Sequence, residues 1–190
     1  MHGTSRRARL WITAAALVTL VVVVAAVAAF IGTGSGSGPA GCDVVIGSEK
    51  YRLDQEQATN ALVITTVAES LGLPHHAVTV AVAAALQESQ LHNLTHGDRD
   101  SVGIFQQRPS QGWGTPTQLL QPRYAADAFL RQLARVEGWE TLPVTVAAQR
   151  VQRSATPDAY AKWEAEARAI ARATTGEVPG ALHCDPALSP

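Results

Sequence analysis

The chain opens on an uncharged apolar run of 22 residues, Leu10 to Ile31. At about 1.5 Å per residue a helix of that length crosses a hydrocarbon core of about 30 Å, so the run predicts a transmembrane anchor. Residues 32–41 (GTGSGSGPAG) follow and read as a flexible linker, because Gly and Ser in that density build no core. Beyond it the apolar positions gather into helix-length segments punctuated by Gly and Pro. Asp54 is placed to cap a helix from about Gln55 to Leu71, which Gly72 and Pro74 stop. Pro74 opens a second helix whose stretch from Val78 to Leu86 is apolar on every side, the pattern of a helix at the centre of a core.

Residues 92–115 lose any period and read as a long structured loop with a short helical turn, a kind of segment that is usually functional. After Thr115-Pro116 the pattern predicts a short helix, then one from about Arg123 to Val136, another over Pro143 to Arg153, and a last one capped at Thr156-Pro157 and closed by Gly176. No strand pair with turn chemistry competes with these elements. The expected fold class is all-α, one helical domain over residues 42–190 behind the anchor.

Charge adds orientation. Arg6, Arg7 and Arg9 precede the apolar run, which makes residues 1–9 a cytoplasmic basic tail and sends the domain outward. Removal of the run as a cleaved signal is the alternative, since Ala25 to Ala29 offers small-residue sites. Twelve basic side chains then face sixteen acidic ones, a charge near −4 that leaves no footprint for nucleic acid. The two cysteines, Cys42 and Cys184, bracket the domain, and an oxidising exterior favours their pairing.

One carboxylate stands out. Glu88 falls at the C-terminal end of the all-apolar helix, where the helix dipole and the neighbouring core both disfavour negative charge and raise the pKa. A carboxyl protonated near neutral pH is what proton donation to a glycosidic oxygen requires. From position alone, a frayed helix end with Glu88 in water competes with this reading. Its sequence company shifts the balance: Gln87-Glu88-Ser89 is followed by the turn Gly103-Ile104-Phe105-Gln106-Gln107, whose Gln106 stands eighteen residues after Glu88.

At these residues the chain resembles the soluble lytic transglycosylases of the lysozyme-like superfamily, which carry Glu-Ser at a helix end and a Gly-Leu-Met-Gln-like segment after it. The resemblance spans roughly Gln57 to Glu164, and the variant from Gly97 to Gly114 looks like an actinobacterial exported subgroup. It implies a lysozyme-like helical domain that cleaves peptidoglycan glycan strands, with Glu88 as acid and then base and Gly103 and Gln106 lining the cleft. Ser89 is a further candidate beside the substrate, the amides of Gln106 and Gln107 suit sugar hydroxyls and N-acetyl groups, and Trp113 offers a flat face for a pyranose ring. Two departures stand in the sequence: Asp100-Ser101 replaces the usual Gly-Ala, and the later Ala-x-x-Tyr-Asn motif reads Ala147 to Gln152 without its Tyr. Tyr160 is the candidate substitute.

Lytic transglycosylation needs one acid, whereas an inverting muramidase needs a second carboxylate to activate water. Asp98 and Asp100 are the acids available for that alternative. A non-catalytic glycan-binding or partner-docking domain is the rival class. Neither a cofactor nor a metal is called for: His92 and His96 have a ligand-like spacing, but no third ligand completes a set, so they read as solvated, as do His75 and His76.

Overall fold

The computed structural model describes residues 40–153, 156 and 158–185. The predicted anchor and the basic tail before it lie outside these residues. Among the described residues no helix is long and apolar enough to cross a membrane.

The all-α expectation is overturned by a three-stranded antiparallel sheet in the order β2-β1-β3, which makes the fold a mixed one. Strand β1, Gly41–Ile46, and β2, Glu49–Asp54, form a hairpin in which Ile46 faces Glu49 across Gly47 and Ser48. Gly47 takes φ +62°, the sign that the first position of a tight two-residue turn favours and that glycine adopts without cost. Cys42, Val44 and Leu53 turn inward while Lys50 and Arg52 stay exposed, the alternation of a sheet with one covered face. The predicted linker therefore ends one residue early, because Gly41 already pairs with Asp54.

Strand β3, Leu182–Cys184, adds to β1 from the far end of the chain, with Cys42 directly opposite Cys184. The two cysteines form a disulfide spanning 142 residues, as expected. Only this long-range contact makes three residues a strand.

Helix α1, Gln55–Ser70, starts at Asp54, whose carboxylate accepts from the Gln57 N–H while the Gln57 amide accepts from the Asp54 N–H. This reciprocal cap satisfies two donors that a helix start leaves open. Helix α2, His75–Ser89, is buried from Ala77 to Leu86 and packs against α1 and all three later long helices. Five of its ten residues there are alanine, so the surrounding helices approach it closely. Those helices are α4, Pro122–Leu133, α5, Val144–Gln152, and α6, Glu164–Thr174; α3, Pro116–Leu119, is a single turn before α4. The last helix begins later than Thr156-Pro157 predicts: a 3-10 turn, Ala161–Trp163, precedes it. The sheet lies against α1 and α6.

Candidate active site

At the C-terminal end of α2 the chain must turn out of the core, and it does so through two successive left-handed residues, Gln90 at φ 56° and Leu91 at φ 61°. Such a conformation costs a side-chain-bearing residue roughly 1–2 kcal/mol. It is held by the start of α1: Gln57 Nε2 donates to the Gln90 carbonyl at 3.0 Å and Asn60 Nδ2 to the Leu91 carbonyl at 2.7 Å. His92 Nε2 meets Asp54 Oδ2 at 2.8 Å, so His92 is a half-buried tie to the α1 cap and not the solvated residue expected. His76 is likewise half-buried, stacked on Trp139 at 6.0 Å between ring centroids. Among the described residues no group of three or more metal-ligating side chains occurs.

Glu88 sits half-buried one residue before the end of this braced helix. Its Oε1 accepts a hydrogen bond from the Tyr160 hydroxyl at 2.9 Å. The Gln152 side chain also bonds it, and Gln152 Nε2 donates to the Phe105 carbonyl at 2.9 Å. Burial raises the Glu88 pKa, and the bonds from Tyr160 and Gln152 only partly oppose it. Its partners among the described residues are neutral, so none of them cancels the cost of ionising it by opposite charge. On either side, Gln87 accepts from Trp163 Nε1 at 2.9 Å and Ser89 Oγ donates to the Ile104 carbonyl at 2.7 Å.

That last bond joins the two sequence motifs. Val102 and Gln107 pair as an isolated antiparallel bridge, and between them Ile104 and Phe105 are fully buried, Phe105 stacked on Phe129 with centroids 4.5 Å apart. The apolar pair anchors the turn, leaving its carbonyls to Ser89 and Gln152.

The residues predicted about the substrate differ widely in burial. Tyr160 is fully buried and therefore contacts Glu88 in place of a sugar. Ser89 is buried too, tying α2 to the turn. Gln107 is 1% exposed, with its Nε2 on the Ala125 carbonyl at 3.3 Å, so its amide faces the core. Gly103 is buried at φ +80°, and a Cβ there would collide with the Leu119 carbonyl oxygen; its missing side chain admits backbone, not ligand. Gln106 is half-buried and folds back on the Gly103 carbonyl at 3.2 Å. Trp113 packs partly against the core and lines a surface depression with Gln111, Gln132, Gln152 and Arg153. Glu88 does not line that depression; Gln152 stands between them.

Of the two candidate second carboxylates, Asp100 is engaged by neighbouring groups and Asp98 is exposed. Asp100 takes Arg108 Nε and Ser110 Oγ on Oδ1, at 2.8 and 3.0 Å, and the Ser110 N–H on Oδ2 at 2.8 Å. These bonds, Arg108 foremost, hold it far below the usual carboxylate range. Asp98 is exposed next to Arg99 at 3.9 Å.

Sequence reasoning missed Gln152 and Trp163. Gln152 carried a readable signal: it lies four residues after buried Ala148 and eight after buried Val144, a glutamine in the apolar register of α5. No protein-family model matches the chain, and no curated protein matches it.

Proposed function

We propose that this protein cleaves peptidoglycan glycan strands by a lytic transglycosylase-like mechanism, acting outside the cell and anchored by residues 10–31. The observation that carries the reading is the half-buried position of Glu88 at a braced helix end, with neutral partners among the described residues, a setting in which burial raises its pKa. Protonated Glu88 gives its proton to the glycosidic oxygen as the C1–O bond breaks. Its carboxylate then takes the proton of the same sugar's 6-hydroxyl as that oxygen bonds C1 and closes an anhydro ring. Glu88 ends protonated and no water is consumed, so one carboxyl suffices. The engagement of Asp100 with Arg108 and Ser110 favours this route over inverting hydrolysis. The Cys42–Cys184 disulfide supports an extracytoplasmic position, since such bonds persist in oxidising compartments.

The test is incubation of the full chain with purified peptidoglycan and mass analysis of what is released. Anhydro-sugar ends that vanish in Glu88→Gln are expected. New reducing ends point to hydrolysis, and strand binding without any product returns the domain to the glycan-binding class.

A further inference from the structure

The depression beside Glu88 is built from side chains the cleavage step does not use. Gln111 stands on the 3-10 turn Pro109–Gln111, Gln132 on α4, and Arg153 caps α5 at φ 52°. Gly112 on its rim has nothing within 4 Å of where a Cβ would stand, so the rim is open. Arg153 is exposed, and the other hydrophilic side chains that line the depression are the neutral amides of Gln111, Gln132 and Gln152. By contrast Arg108, Arg131, Arg168 and Arg172 each hold a carboxylate at 2.8 Å or less. A guanidinium is always charged and its fork of donors matches a carboxylate. The glutamine amides donate and accept, and the indole of Trp113 offers a flat apolar face.

Resting on the proposed cleavage of glycan strands, we infer that this depression binds a carboxylate borne on the glycan, with Arg153 as its cation. The carboxylate is the strand's lactyl group where no peptide is attached, and a carboxylate of the peptide where one is. Gln152 belongs to both places, lining the depression and bonding Glu88, so a strand seated on Arg153 lies one side chain from the acid. Specificity for carboxylate-bearing strands over uncharged chitin-like oligomers follows.

The experiment measures binding by calorimetry to the full chain carrying Glu88→Gln, which prevents turnover. Three probes are used: an N-acetylglucosamine oligomer, a stem-free glycan oligomer with its lactyl carboxylate, and the same oligomer bearing peptides. Arg153→Gln is expected to weaken a carboxylate-bearing probe about tenfold or more while the uncharged oligomer stays within about twofold, and Arg153→Lys is expected to recover part of the loss. Whichever carboxylate-bearing probe shows the loss identifies the source. Equal affinities for Arg153→Gln and its parent on all three probes, or an equal loss on all three, overturn the inference. If that happens while the chain with Glu88 intact still releases anhydro-sugars, the cleavage reading survives alone. Arg153-dependent binding without any product leaves this inference standing and removes the cleavage reading, and no binding to any probe removes both.

Discussion

Replacing Tyr160 by Phe deletes one oxygen from a fully buried side chain, the oxygen that donates to Glu88 Oε1 at 2.9 Å. A hydrogen bond to a charged group contributes about 1.5–3 kcal/mol and one to a neutral group about 0.5–1.5, so Tyr160 favours ionised Glu88 by about 1–1.5 kcal/mol. At about 1.36 kcal/mol per pH unit, Tyr160→Phe should move the Glu88 titration upward by about one unit. The direction follows because burial already raises this pKa and Tyr160 opposes the rise. Infrared difference spectra of the carboxyl against pH, with Glu88→Gln identifying the band, measure it directly. Under the proposed cleavage, in which Glu88 must be protonated, the alkaline limb of the activity profile should shift with it.

Stability moves in the same window. A carboxyl raised in the folded state costs nothing at low pH and destabilises as pH climbs from its ordinary value, about 4.3, through its folded one. Tyr160→Phe should therefore lower the melting temperature by about 3–6 °C at neutral pH, for a loss near 1.5 kcal/mol, and by less at pH 4. A Glu88 midpoint that stays put or falls in Tyr160→Phe refutes the electrostatic account of the site.

Three further outcomes follow from the fold. Replacing Cys42 and Cys184 by Ser should cost about 4–5 kcal/mol, given the 142-residue separation, measured by urea unfolding; a loss under about 1 kcal/mol would mean that β3 is held without the bridge. Gly103→Ala should cost roughly 2–4 kcal/mol by the same method, because its φ is +80° and its Cβ meets the Leu119 carbonyl; an unchanged midpoint contradicts that packing. Burial opposes the charges of both His92 and Asp54, yet their mutual contact raises the one pKa, and the Gln57 N–H together with His92 lowers the other. The raised His92 contributes stability that is lost as pH rises through its folded value, and the lowered Asp54 contributes stability that is lost as pH falls. The contact should therefore stabilise most between about pH 4 and 6.5, and His92→Ala should flatten that part of a melting-temperature profile.

What the sequence determined by itself lies within a few residues of its cause. Asp54 and Gln57 cap α1 across three positions, Pro74 opens α2, and the unbroken apolar stretch to Leu86 makes that helix central, which puts Glu88 at its end in a setting that disfavours charge. Each is a local propensity or periodicity, written in adjacent letters. The β1–β2 hairpin did leave a local signal in Gly47-Ser48 and the alternation beside it, which the helical reading passed over, whereas β3 was not legible because it pairs with β1 from the other end of the chain and no local period announces a three-residue strand. The same reason hides the partners of Glu88. Tyr160 and Gln152 reach it only because α5 and the 158–163 segment pack against α2, and tertiary packing likewise buries Ser89, Gln107 and Gly103. Sequence singled out Glu88, and the meeting of segments more than 60 residues apart decided what surrounds it.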